Sequence, residues 1–340
     1  QDQGRKNSQR TCTDDLFTAL RWATAKMNWR GISLRKDCTW TPRMLAFAGL
    51  LFAWSDEKTL GDRFTIARKI IRRKVPRQDE PATSYQAFTK LLLKWTQPLL
   101  ALLSAAFRAR MQQALVAVWM VAGWCVLACD GSRVDVPRTH GNKQRYSPKS
   151  KLSRAAQKRR KARRKAKRRS REEARQRKAN VPSIWLTMLW HVGTGLPWDW
   201  RTGPADSSER KHLLEMLSTA PAGSLITADA GFVGYDLWTA VLDAGHQLLV
   251  RVGANVRLLK KLGYAEERGG LVYLWPEWAA KQKQPPLVLR LIVVHNGRHP
   301  VYLVTTVIEN ERLSDANAAR IYARRWGIEL YYRHCKQTFE

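Results

Sequence analysis

The sequence has no CxxC pair. Its five cysteines, Cys12, Cys38, Cys125, Cys129 and Cys335, also lack the Cys/His spacing of a zinc finger, so a structural zinc site and a disulfide framework are both disfavoured and reduced thiols are expected. A membrane-spanning stretch is missing as well. The longest apolar run, 114–129, is 16 residues long, follows Arg108 and Arg110, and runs into Asp130. A helical span needs ~20 apolar residues. A buried helix leading into a buried strand accounts for the run, and no membrane partner is expected. No signal peptide opens the chain, which points to the cytoplasm, and Gln1 in place of Met predicts that residues precede it in the natural protein.

Acid is scarce. In 340 residues, 28 Asp and Glu stand against 60 Lys and Arg, for a net charge of +32. Solubility asks only for a net charge of magnitude roughly 2 to 8 on a small domain, so the excess points to a polyanionic partner, a nucleic acid ahead of an anionic membrane surface. About half of the charge sits in 149–178, KSKLSRAAQKRRKARRKAKRRSREEARQRK, where 17 Lys or Arg face Glu172 and Glu173. Such a run is either a solvated disordered loop or a helix that forms on a polyanion, and it reads as a phosphate clamp without sequence specificity for DNA or RNA.

From Thr13 to about Arg73, DDLFTALRWATAKMN and TPRMLAFAGLLFAW carry apolar residues at helical spacing behind Asp or Thr caps, predicting a small helical bundle. Lys74 to Ser84 reads as a linker. Ser84 then caps a helix through YQAFTKLLLKW, with a second helical hairpin expected up to about Met120. Beyond it the pattern changes. WCVLACD, from Trp124 to Asp130, is a buried strand that delivers an acid to a sheet edge; SIWLTMLWHV and the stretch from Leu196 are further strands. SSERKHLLEMLSTA predicts a capped helix, SLITADAGF a strand ending at Asp229, GYDLWTAVLDAG a helix, and HQLLVRVG a strand. This alternation predicts an α/β sheet. LVYLW, PLVLRLIVVHN and PVYLVTTVIEN then make a β-rich stretch, 253–312, ahead of a last helix that begins near Ser314-Asp315. The expected division is an all-α region, 1–120, and a catalytic domain, 121–340.

In that last helix Tyr322, Arg325, Glu329 and Lys336 stand at offsets 0, 3, 7 and 14, within about 60° of arc on one stripe. A solvated charged face has the same spacing, but Trp326, Ile328 and Leu330 offer the helix packing surface. The pattern Tyr322-x2-Arg325-x3-Glu329-x6-Lys336 resembles the YREK signature of the fourth family of bacterial insertion-sequence transposases, enzymes with an acidic DDE triad. VLACDGSRVDVPRT around Asp130 resembles that family's first acidic motif, and LITADAGFVGYDL around Asp229 resembles its second. Ser208-Glu209-Arg210 is also similar to the family pattern.

The resemblance, from Trp124 to Glu340, implies a ribonuclease-H-like mixed sheet with a β-rich insertion before the last catalytic helix. It further implies Mg²⁺-dependent cut-and-paste transposition, with Asp130, Asp229 and Glu329 as catalytic residues and ligands of two ions, Mn²⁺ serving as a substitute. Three acids suit this chemistry because two divalent ions ~3.5–4 Å apart need a bridging carboxylate and a flanking one each. Arg325, Lys336 and Tyr322 would grip phosphates beside the cleaved bond, Arg251 would contact DNA, and Trp275 or Trp278 would stack on a flipped base. His140 and His246 lack ligand spacing and read as structural. The implied partners are the element's terminal repeats and target DNA, bound by a homodimer on paired ends, with a nucleoid-associated location. Only four residues follow Lys336, whereas the family continues with more helix, so the second expectation is a truncated, catalytically inactive protein that only binds nucleic acid. A structure-selective nuclease that never joins ends is the third.

Overall fold

The computed structural model describes residues 16–76, 80–147, 182–252, 264–268, 270–295, 297 and 299–339. The basic run 149–178 therefore lies outside the described residues. The chain divides into two compact units, 1–116 and 117–340.

The first unit is helical. Thr41 accepts the Met44 N–H and caps α1 (Pro42–Trp54), and Thr59 caps α2 (Leu60–Arg72) through the Asp62 N–H. Ser84 caps α3 (Tyr85–Ala114) through the Ala87 N–H. These caps are the short oxygen side chains that satisfy free helix-start donors. Phe64, Phe88 and Trp40 meet at the centre, with Phe64–Phe88 centroids 5.0 Å apart and Trp40–Phe88 centroids 5.2 Å apart.

The expected second hairpin is absent, because α3 is one helix of 30 residues that runs through Pro98. Proline removes a single helix bond and crowds the preceding turn. Phe88 before it and Leu99 and Leu103 after it all enter one core, so packing holds both halves together. The apolar run 114–129 also departs from expectation. It holds a 3-10 turn, Val116–Val118, then a tight Val121↔Trp124 bridge in which Ala122 and Gly123 take positive φ, before the strand begins.

In the second unit one nine-stranded sheet forms, from β1 (Val126–Asp135), β2 (Ser183–His191), β3 (Leu196–Pro204), β4 (Leu225–Ala228), β5 (Gln247–Val252), β6 (Tyr264–Arg268), β7 (Leu271–Trp275), β8 (Leu287–Val294) and β9 (Val301–Thr305). Its order is β3-β2-β1-β4-β5-β9-β8-β7-β6. β1, β2 and β3 are antiparallel neighbours, while β4 and β5 run parallel to β1 and to each other. That five-strand arrangement is the ribonuclease-H-like sheet. β9 pairs antiparallel with β5, so the late strands extend the same sheet.

The helices are α4 (His140–Tyr146), α5 (Glu209–Met216), α6 (Tyr235–Asp243), α7 (Glu277–Lys281), α8 (Asp315–Arg324) and α9 (Trp326–Phe339). Ile321, Ile328 and Tyr332 from the last two pack with Val126 and Ala128 of β1 and Met188 and Trp190 of β2. Since side chains alternate along a strand, Asp130 shares the face of Val126 and Ala128, and Gly131 belongs to the other face. Among the described residues no helix is long and apolar enough to cross a membrane.

The last helix is two. It breaks at Arg325, whose N–H reaches both the Ile321 and Tyr322 carbonyls while the Ile328 N–H bonds back to the Arg325 carbonyl. Such i→i+3 bonds tighten the turn. Of the three residues expected to hold this helix, Ile328 is buried, but Trp326 is 53 % exposed and Leu330 is 41 % exposed.

Candidate active site

The parallel ladder between β1 and β4 ends at the pair Cys129↔Ala228, and the next residue on each strand is a carboxylate. Parallel strands in register point matching positions the same way, so Asp130 and Asp229 leave the sheet side by side where β4 stops. The crevice beyond the carboxyl ends of such strands is where open α/β sheets hold ligands. Asp229 caps a 3-10 turn, Ala230–Phe232, its Oδ1 accepting the Gly231 N–H at 2.8 Å. Asp130 Oδ1 accepts the Gly131 N–H at 2.9 Å.

Helix α9 brings the third acid. Gly327 lies against the Trp190 indole, where an added Cβ would stand 3.3 Å from Nε1. One turn on, Tyr332 donates to the Asp130 carbonyl at 2.9 Å, with the Leu186 carbonyl 3.3 Å away. Burial and the charge of Asp130 push the Tyr332 phenol well above its usual range, so the donor proton stays in place. Glu329, Tyr332, Arg333 and Lys336 follow at offsets 0, 3, 4 and 7, the spacing of one helix face. All four line a cavity of about 530 Å³ together with Asp130, Asp229, Ser132 and Gln337.

Electrostatics record the crowding. Burial pushes the Asp130 carboxyl up to about 6; Asp229 and Glu329 push the same way, and the Gly131 N–H and Arg325 oppose them. Glu209, at the start of α5, is pushed up to about 7 by burial and by the charges of Asp130 and Asp229. In the sequence Glu209 stands out only as part of a block; the available signal was a glycine, Gly131, directly behind a strand-borne acid.

Asp130, Asp229, Glu329 and Lys336 thus face one cavity. Arg325 differs from its expected place on a phosphate: it is 6 % exposed, and its guanidinium donates to Glu329 Oε1 at 2.6 Å. One turn of helix separates the two, so the nearest anion to this arginine is the catalytic candidate itself. Tyr322 lies beside Arg325, 5.3 Å from ring centroid to guanidinium, with its hydroxyl buried and unbonded among the described residues. Arg251 is exposed on β5, in the row next to Asp229. Trp275 donates its indole N–H to the Gln284 carbonyl, while Trp278 keeps an exposed face and meets Tyr235 edge-on at 5.5 Å. None of these five lines the cavity. His246 is buried with Nε2 3.3 Å from the Leu217 carbonyl, and His140 opens α4 at the surface.

Among the described residues no three His, Cys, Asp or Glu side chains are gathered closely enough to hold a metal ion. The donors fit a hard divalent cation in kind: all are carboxylates, at the mouth of a polar cavity.

Known proteins resemble this chain in part. The chain is 27 % identical over 146 residues to the transposase InsG of insertion sequence element IS4 from Escherichia coli, an overlap of 41 % of this chain and 32 % of that protein. It therefore spans about a third of that curated relative's length. A solved structure titled as a piggyBac transposase synaptic complex with hairpin DNA is 14 % identical and has a TM-score of 0.38, covering 93 % of this chain and 64 % of that one. The family profile described as the transposase DDE domain matches residues 123–340, from just before β1 to the last residue, and the chain belongs to the DDE transposase family.

Proposed function

We propose that this chain is a metal-dependent DNA transposase that hydrolyses a strand at its element's terminal repeats and joins the freed 3′ end to target DNA, acting as a homodimer on paired ends. The observation that carries the reading is the convergence of Asp130, Asp229 and Glu329 on one cavity that Arg333 and Lys336 also line. Carboxylates suit cations and cations suit phosphate, so the two sets together fit a metal-assisted phosphodiester site. Two magnesium ions, or manganese in their place, would lower the pKa of the attacking water or 3′-hydroxyl and stabilise the leaving oxygen. Asp130, Asp229 and Glu329 would hold them.

The remaining residues position and bind. Lys336 and Arg333 attract the DNA backbone to the cavity, and Arg251 adds charge on the row beside Asp229. Arg325 fixes Glu329, and Tyr322 packs beside Arg325. Of the two tryptophans, Trp278 is the one with a face open to stack on a base. The helical unit would recognise the terminal repeats, and the basic run 149–178 would clamp phosphates, consistent with a net charge of +32. Such a protein works at the nucleoid.

The deciding test is cleavage of a duplex carrying the element's terminal repeat, with and without Mg²⁺, by the wild type and Glu329→Gln. Magnesium-dependent cutting that the variant loses is expected. Tight binding without cutting in Mg²⁺ or Mn²⁺ would leave a nucleic-acid-binding protein on the same fold.

Tyr332→Phe isolates the helix-to-strand hydrogen bond, because the ring stays in the core and only the hydroxyl is lost. It should cost about 1 kcal/mol of stability and leave DNA affinity unchanged. The single-turnover cleavage rate should fall on the order of tenfold, because Glu329 is no longer held to the strand of Asp130. An unchanged rate in quench-flow measurements would make the bond merely structural.

A further inference from the structure

The helical unit carries a hollow of about 350 Å³ between the helical segment 16–23, the first turn of α1 and the end of α2. Its floor is apolar. Phe17 meets Phe47 edge-on at 5.3 Å, and Met44 and Ile71 fill in beside them. Around that floor stand three cations, Arg21, Arg43 and Lys74, and no acid lines the hollow. Two of the cations are held over the rings themselves: the Arg43 guanidinium lies 5.4 Å from the Phe47 centroid, and the Lys74 ammonium 5.6 Å from that of Phe17. Such contacts fix a cation in place without neutralising it.

Three features separate this hollow from an ordinary solvated face. Among the described residues Arg21 and Arg43 make no ion pair and no hydrogen bond, whereas Arg72, two residues before Lys74, is matched by Glu80 at 2.7 Å. Arg43 also stands at the unfavourable end of its helix. No acid lies in the first turn of α1, where the positive end of the helix favours an anion and opposes a cation. Finally, three like charges gathered round one hollow repel each other unless an anion joins them. A DNA backbone offers phosphate and deoxyribose in alternation, which matches cations set round an apolar floor.

We propose that this hollow seats a stretch of DNA backbone on the helical unit, its phosphates held by Arg21, Arg43 and Lys74 and a deoxyribose lying over Phe17 and Phe47. The inference rests on the DNA-binding reading above and is independent of the catalytic centre. It gives the helical unit a contact that positions it on DNA without reading sequence.

Because phosphate contacts carry no sequence information, a labelled duplex of arbitrary sequence serves as the probe. Its binding to the full chain is followed by fluorescence anisotropy across a salt series, in a chelator so that no strand is cut. Arg21 and Arg43 are exposed, so Arg21→Gln and Arg43→Gln should leave the far-ultraviolet circular dichroism spectrum and the urea midpoint unchanged. Each is expected to lower the slope of log affinity against log salt by about 1, and the double variant by about 2. Lys94→Gln removes the same charge from α3, where the ammonium lies over Trp95 at 5.1 Å and outside the lining of the hollow, and should leave the slope unchanged. If Lys94→Gln lowers the slope as much as Arg43→Gln does, the loss belongs to the net charge of the chain and the hollow is no site. A slope lowered on single-stranded RNA but not on the duplex would put RNA there and overturn the proposal. If the wild type binds the duplex with a slope that neither arginine variant changes, the inference fails while the DNA-binding reading stands; a wild type that does not bind it overturns both.

Discussion

Asp130→Asn is expected to abolish DNA cleavage, leave DNA binding within a few-fold of wild type, and make the metal-free protein more stable above pH 6. The first effect follows from removing the acid at the centre of the site, a loss of several kcal/mol of transition-state stabilisation, or on the order of a thousandfold in rate. Binding survives because the cations that attract DNA remain, Lys336 and Arg333 among them. The stability gain has a definite sign. Burial raises the Asp130 carboxyl from 3.8 to about 6, so between these values the folded chain holds a proton that the unfolded chain has lost. The folded state is thus favoured most below pH ~4, and that contribution is lost as pH rises to about 6. Asparagine carries no charge and escapes the loss. A shift of this size corresponds to at most about 3 kcal/mol, and solvent screening at a half-buried site reduces it to about 1–2 kcal/mol. Urea unfolding in a chelator at pH 5 and pH 8 measures it. An asparagine variant no more stable than wild type at pH 8 would mean that the Asp130 carboxyl is not shielded from water in solution.

Much of this site is legible in the sequence because chemistry restricts it. A short apolar run that ends on Asp130, and another that ends on Asp229, follow from the way a buried strand exposes its last residue, and the structure places both on neighbouring parallel strands. The Glu329 helix is legible from periodicity. What periodicity misses is set by tertiary contacts. Pro98 marks a break in any local reading, yet α3 continues because both of its halves reach one core. Trp326 and Leu330 look like packing residues by composition, but as an i, i+4 pair they share the helix side opposite Ile328, so burying Ile328 leaves them exposed. Tyr332 and Glu209 escaped as individual residues for a different reason. A phenol aimed at a strand carbonyl and a carboxylate beside a glycine of another segment are relations between segments, of which the sequence shows at most the glycine behind the strand acid.

Arg325→Ala should be nearly as damaging to catalysis as losing an acid, while hardly touching DNA affinity. The guanidinium is 6 % exposed and donates to Glu329 Oε1 at 2.6 Å, so truncation strands a carboxylate that is only 31 % exposed and empties a buried volume. Breaking a fully buried pair costs about 3–5 kcal/mol; with one partner partly in solvent, about 2–3 kcal/mol is expected. Glu329 would then sit off its productive position, and a displacement near 1 Å is enough for roughly a hundredfold loss of rate. Lysine at this position restores charge without the planar fork, so Arg325→Lys should recover part of the stability and little of the rate. The salt dependence of DNA binding separates this role from a grip on phosphate. Removing a phosphate contact lowers the slope of log affinity against log salt by about 1. Lys336→Ala, in the cavity wall, is expected to show that change, and Arg325→Ala is not. A lowered slope in Arg325→Ala, with Glu329 still active in cleavage, would instead put the arginine on the DNA.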